Sequence, residues 1–215
     1  MNSLIAICFV AFLNTAHAFT RCCGPKQWKS EVSQVVGEYN FNTDFYQMSE
    51  VATTFYYDFQ NSKIAALQTI TNETAQPVLT HVKQILDYTK MIKWIIQGKT
   101  CTKLDLTEDM TSPCIADSAT HISNQSLGVE PVDVWFTQYK SGTKVRATVT
   151  QKGCFLVTSS TLTGSKENPD FIMTVSVYQN VTAGPIDQSI FDVPDFCQKV
   201  NSQVKIIVPS AIPWL

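Results

Sequence analysis

The chain has 215 residues, a formal net charge of −2 at pH 7, 44% hydrophobic residues and 16% charged residues. It holds no run of like charges, so it lacks the clustered Lys and Arg on which nucleic-acid binding rests. The length suits one medium domain that can build its own core, and no Pro- or Gly-rich linker divides it.

Met1–Ala18 reads as a secretory signal peptide. Leu4–Leu13 is an apolar run, too short for a membrane-spanning helix, which needs about 20 residues. The small-x-small sequence Ala16-His17-Ala18 then marks a cleavage site, although the lead carries no Lys or Arg. The mature protein is expected to begin near Phe19 and to form a single domain over 19–215.

Strand signals follow. Val32–Tyr39 and Val51–Phe59 are rich in Val, Thr, Tyr and Phe, with Phe55, Tyr57 and Phe59 on one face. Asn61-Ser62 reads as a turn, and Lys63–Ile70 as the returning strand. Val78–Gln97 fits two patterns. Ile85, Tyr88, Ile92 and Ile95 lie at helical spacing, while Val82, Leu86 and Tyr88 fit alternation; two strands are favoured, the second over Thr89–Ile96. Met110–Gly128, with Pro113 and many small or polar residues, reads as a long connection with room for one helical turn.

Val132–Tyr139 and Thr143–Thr150 are predicted strands joined by a hairpin turn at Lys140-Ser141-Gly142. In the second, Val145, Ala147 and Val149 oppose Lys144, Arg146 and Thr148. Cys154–Thr163 is a further strand, ending at Gly164 in a loop that reaches Pro169. Phe171–Val181 sets Phe171, Met173, Val175 and Val177 against Thr174, Ser176, Tyr178 and Asn180, and the apolar set is expected to face inward. About ten antiparallel strands of this kind make a large curved sheet or two stacked sheets. Val204–Leu215, apolar but broken by Pro209 and Pro213, reads as a terminal strand or arm rather than a lipid-anchor signal.

Six cysteines lie beyond the signal peptide: Cys22, Cys23, Cys101, Cys114, Cys154 and Cys197. Behind a signal peptide they imply an oxidising compartment and a disulfide framework whose connectivity the sequence alone leaves open. Asn72-Glu73-Thr74, Asn124-Gln125-Ser126 and Asn180-Val181-Thr182 are glycosylation acceptors, and a glycan must face solvent. Catalytic signals are few. His81 and His121 are the histidines of the mature chain, and no H-E-x-x-H, G-x-S-x-G or C-x-x-C occurs. Gln97-Gly98-Lys99-Thr100 lacks the upstream Gly of a phosphate-binding loop, since that position is Lys93. Paired carboxylates for glycoside hydrolysis stay open, because partners can come from distant strands; the expectation is nonetheless that the protein is not an enzyme.

Four local patterns, in this order and spacing, resemble the ependymin-related family of secreted glycoproteins. They are Cys22-Cys23-Gly24-Pro25-Lys26-Gln27-Trp28, Cys101-Thr102-Lys103-Leu104-Asp105-Leu106, Lys152-Gly153-Cys154-Phe155-Leu156-Val157, and Ile186–Cys197 with Asp187, Phe191, Pro194 and Cys197. Gln188 stands where that family usually has Pro, and Cys23 is extra. The resemblance implies the pairs Cys22–Cys154 and Cys101–Cys197. Cys23 and Cys114, outside its pattern, are expected to pair with each other.

The resemblance further implies a mainly β fold of two stacked antiparallel sheets, an incomplete barrel similar to bacterial lipoprotein carriers, around an apolar pocket. Candidate lining residues are Phe55, Tyr57, Phe59, Val134, Phe136, Met173, Val175 and Val177, which could equally form a filled core. It also implies lipid binding, calcium binding, action at the cell surface or matrix, delivery to lysosomes in some members, and homodimers. Calcium takes about six to eight oxygens. No EF-hand loop is present, and the candidate carboxylates are Asp187, Asp192 and Asp195, with Glu108, Asp109 and Asp117 as a second group. The implied role is binding of a hydrophobic ligand. The alternative is a structural matrix component without a ligand.

Enzymatic removal of N-linked glycans should lower the mass of the secreted protein by at least one glycan. An unchanged mass contradicts the reading of all three acceptor sites.

Overall fold

A computed structural model describes residues 21–72, 78–139, 142–164 and 170–199. The signal peptide, the Lys140-Ser141 part of the hairpin turn, the loop before Pro169 and the Val204–Leu215 arm lie outside the described residues.

The strands are β1 (Gln27–Asn40), β2 (Phe45–Asp58), β3 (Lys63–Asn72), β4 (Leu79–Asp87), β5 (Ile92–Gln97), β6 (Thr100–Asp105), β7 (Thr120–Leu127), β8 (Glu130–Gln138), β9 (Lys144–Thr150), β10 (Leu156–Thr163) and β11 (Asp170–Ala183). All eleven join one antiparallel sheet in the order β6-β5-β4-β3-β2-β1-β11-β10-β9-β8-β7. The expectation of a mainly β fold holds. The division into two stacked sheets does not, because hydrogen-bonded pairing is continuous through β1 and β11 at the centre. Val78–Gln97 forms two strands, since Met91 at φ 55° and the turn over 88–91 break any helix.

The strand β7 was hidden within the expected connection Met110–Gly128. It is an edge strand whose residues are all half-buried or exposed, so it carries no apolar stripe to mark it.

The chain leaves the sheet at one edge, β6, and re-enters at the other, β7. A flat sheet of eleven strands measures about 48 Å between its edges. Residues 106–119 reach about that far only when fully stretched. They are not stretched, for the Ala119 N–H donates to the Ala116 carbonyl at 3.0 Å. The sheet must therefore curl around the connection.

The connection lies on the inner face. Leu106, Met110, Ile115, Ala116 and Ala119 pack against Trp28, Phe55, Tyr57, Ile64, Leu86 and Trp135. The Tyr57 hydroxyl donates to the Thr111 carbonyl at 2.6 Å, the Gly24 N–H to Pro113 at 2.6 Å and the Ile115 N–H to Cys22 at 3.0 Å. Two disulfides hold the same place: Cys23–Cys114 ties the connection to the N-terminal segment, and Cys22–Cys154 ties that segment to the turn before β10.

A second segment crosses the outer face. After β11, residues 184–197 run over β2 and β3 to β6. Ile186, Ile190, Phe191 and Val193 cover Ala65, Ile85, Ile96, Tyr56 and Trp94. Gln188 Nε2 donates to Asp58 Oδ2 at 2.9 Å, and Cys101–Cys197 closes the end. Burial pushes the Asp58 carboxyl up, but hydrogen bonds from Asn61, Gln188 and Gln27 outweigh it and leave the group below its ordinary value.

Replacing Cys101 and Cys197 together by Ala opens a crosslink across 96 residues. Urea unfolding should show a loss of about 2–5 kcal/mol, with hydrogen exchange accelerated over 186–197 first. An unchanged midpoint would mean that apolar packing alone holds this segment.

Candidate functional site

The inner face has two parts. At one end the aromatic rings pack against the crossing connection: Trp28 lies 5.2 Å from Phe55 and 5.6 Å from Tyr57, and Tyr57 stacks on Phe59 at 6.3 Å between ring centres. Phe55 and Tyr57 are buried, and Phe59 packs at the margin. Burial, with the neighbouring Tyr88 phenol, holds the Tyr57 hydroxyl far above the ordinary tyrosine range.

Further along the strands the same face changes character. Val36, Val51 and Val82 are buried there but belong to neither of the two cores described above. Among them stand Gln34, Ser49, Thr53, Gln68, Gln84, Thr174 and Ser176, all buried and all uncharged. Gln34 Nε2 donates to Ser176 Oγ at 2.9 Å, Ser49 Oγ to Asn72 Oδ1 at 3.0 Å, and Gln84 Nε2 to Gln68 Oε1. Tyr178 borders this region. Burial pushes its phenol up to about 12, against the opposing hydrogen bonds of Ser159 and Ser176. This part of the face is thus apolar in outline and neutral hydrogen-bonding within, suited to an uncharged amphiphile rather than to an ion.

The eight expected pocket residues are not brought together. Phe55, Tyr57 and Phe59 lie on the inner face, where they are packed. Met173, Val175 and Val177 are on the outer face and 46%, 39% and 39% exposed. Val134, fully buried, and Phe136, half-buried, share that outer face, in the rows Val134–Thr148–Thr158–Val177 and Phe136–Arg146–Ser160–Val175. The assignment of the apolar side of β11 to the interior is therefore corrected.

The cause is a bulge. Glu31 pairs with Gln179 and Lys29 with Thr182, which leaves an extra residue on β11 at Asn180, where φ is 51°. One extra residue exchanges the faces, so Val181 packs inward while Val177, Val175 and Met173 point outward.

The candidate carboxylates are engaged separately. Asp187 Oδ1 accepts from the Ser189 N–H at 3.0 Å and so caps a 3-10 turn, Gln188–Phe191; this hydrogen bond keeps its pKa below the ordinary value. Asp192 lends its carbonyl to Lys83 Nζ at 3.3 Å, and Asp195 opens the next 3-10 turn. Asp117 is exposed and pairs with Arg21 at 3.3 Å, away from Glu108 and Asp109. Among the described residues no group of three or more His, Cys, Asp or Glu side chains could hold a metal.

The histidines are separate as well. His121 lies 3.5 Å from Asp133 and edge-on to Trp135, on the inner face. His81 is hydrogen-bonded to Thr69 Oγ1 at 3.1 Å beside an outer-face groove of about 430 Å³. Of the glycosylation acceptors, Asn124 and Asn180 are exposed and Asn72 is half-buried. The Asn180 amide donates to Glu31 Oε2 at 2.8 Å.

Sequence reasoning passed over Gln34, Thr53 and Gln68. A signal was present: each interrupts an apolar face, as in Val32-Gln34-Val36, Val51-Thr53-Phe55 and Ala66-Gln68-Ile70.

A family model described as Ependymin matches residues 76–197. No curated protein matches the chain. Similar solved structures include an uncharacterized conserved protein from Thermus thermophilus, 7% identical, covering 80% of this chain and 87% of that one with a TM-score of 0.46. A LolA superfamily protein from Nitrosomonas europaea is 11% identical, with 76% and 90% covered and a TM-score of 0.31. Likeness at this level specifies neither ligand nor activity.

Phenolate absorbance should show Tyr178 still protonated above the ordinary tyrosine value of about 10. A folded-state pKa raised above the unfolded value near 10 contributes stability that is full below that value and is lost as pH rises toward about 12. The urea midpoint should fall across that window. A flat midpoint there would contradict the burial of these phenols.

Proposed function

The chain belongs to the ependymin family, and from that premise we propose that it is a secreted glycoprotein that binds a hydrophobic ligand of lipid type on the inner face of its curled sheet. The observation that carries the reading is the part of that face around Val36, Val51 and Val82, where apolar walls surround uncharged polar side chains. A packed interior would be expected to be largely apolar, as it is around Trp28, Phe55 and Tyr57. Three disulfides across 132, 91 and 96 residues support an extracellular setting, where such bonds persist.

The exposed strip of Val35, Met173, Val175 and Val177 supports a homodimer as the working form. Calcium-linked contact with the matrix or cell surface, implied by the kinship, finds no carboxylate set among the described residues, so the proposal stops at ligand binding. The reading of a structural component with a filled core has its own support in the connection 106–119, which occupies one end of the inner face.

Native mass spectrometry of the protein purified from culture medium separates the two. The carrier reading predicts adducts of lipid mass that organic extraction removes and added lipid restores. A ligand-free protein that takes up neither neutral nor charged lipids contradicts it and leaves the structural role.

A further inference from the structure

We infer that Gln34, Thr53 and Gln68 bind the polar head of the ligand, and that this head is uncharged and carries both a hydrogen-bond donor and an acceptor, as a hydroxyl or a carboxamide does. The inference rests on the reading of the inner face as the ligand site and names the chemistry that the site selects.

The three side chains are neighbours. Thr53 stands directly opposite Gln68 across β2 and β3, and Gln34 lies one diagonal step away on β1, two residues from Val32, the partner of Thr53. They are only 3%, 6% and 3% exposed for Gln34, Thr53 and Gln68. Each nevertheless keeps a buried atom without a hydrogen-bond partner: Gln34 Oε1, Thr53 Oγ1 and Gln68 Nε2.

Both amides are oriented by their other ends. Gln34 Nε2 is spent on Ser176 Oγ, and Gln68 Oε1 is spent on Gln84 Nε2. One carbonyl acceptor, one amide donor and one hydroxyl of either role are left on adjacent strands. A buried polar group without a partner destabilises the fold, and three together call for a common partner.

The charge of that partner follows from its surroundings. On β1 to β4, the inner face within two residues of the triad holds no charged side chain. The inner-face cation of this half, Lys93, sits on β5 between Leu86 and Leu104, four residues from the row that holds Thr53 and Gln68, or about 13 Å along the strand. A carboxylate or phosphate taken into this setting would lose its hydration with no opposite charge beside it. A hydroxyl or carboxamide loses far less and satisfies both the acceptor and the donors.

The test is calorimetric titration of the full-length secreted protein with ligands that share one dodecyl chain: the alcohol, the primary amide, the carboxylate at about pH 8, and the methyl ether, which accepts but does not donate. The alcohol and amide should bind about tenfold or more tightly than the carboxylate and the ether. Thr53→Val and Gln68→Met should each bring the preference for the alcohol over the ether to within about twofold. The ligand-free Thr53→Val variant should unfold at the same or a higher urea concentration.

Carboxylate binding that equals or exceeds that of the alcohol overturns the head assignment, as does a preference that survives both substitutions. Affinity independent of the head, with ordered water satisfying the triad, overturns it too. Failure of every member of the series to bind is a different result, and it overturns the ligand-site reading on which this inference stands.

Discussion

One connection governs this structure. The chain must travel from the β6 edge to the β7 edge of an eleven-strand sheet within residues 106–119. A flat sheet would need those residues fully stretched, which the turn at Ala116–Ala119 precludes, so the sheet bends. The side chains then decide what the curl encloses. Met110, Ile115 and Ala119 fill one end of the inner face against Trp28, Phe55 and Tyr57, and the hydroxyl of Tyr57 supplies the carbonyl of Thr111 with a partner in an otherwise apolar place.

The disulfides follow the same logic. Each fastens a segment that lacks strand pairing of its own. Cys23–Cys114 and Cys22–Cys154 serve the inner crossing, and Cys101–Cys197 serves the outer one. Irregular segments such as these bury less backbone hydrogen bonding than a strand, so crosslinks that restrict the unfolded chain have the most to contribute there. What remains of the inner face lies beyond the reach of the crossing connection. There the valines of β1, β2 and β4 are interleaved with amides and hydroxyls, and a binding role is supported by a change of composition along single strands rather than by any separate motif.

Much of the architecture was legible. Strand signals marked every strand but β6 and β7, and the faces of β9 were assigned correctly because Lys144 and Arg146 cannot be mistaken for interior residues. The Cys positions and the pattern Ile186–Cys197 pointed to kinship across the second half of the chain. The failures have physical causes. An edge strand such as Thr120–Leu127 buries little and so shows little pattern. The side of β11 could not be read, because the bulge at Asn180 reverses it and no residue type announces a bulge of this kind with certainty. Thr174 and Ser176 face inward and Val175 outward, the reverse of what hydrophobicity alone suggests. The triad of Gln34, Thr53 and Gln68 belongs to three strands, and its members become neighbours only once register is known.

The crossing connection bends a single sheet and so brings its two edges toward each other. Pulsed electron resonance between spin labels on unnatural side chains at Asp105 of β6 and Ser126 of β7 measures that approach directly. The distance distribution should be narrow and centred well below the span of a flat eleven-strand sheet, which is about 48 Å. A native, oxidised protein with its labels near that flat-sheet separation would contradict the bend.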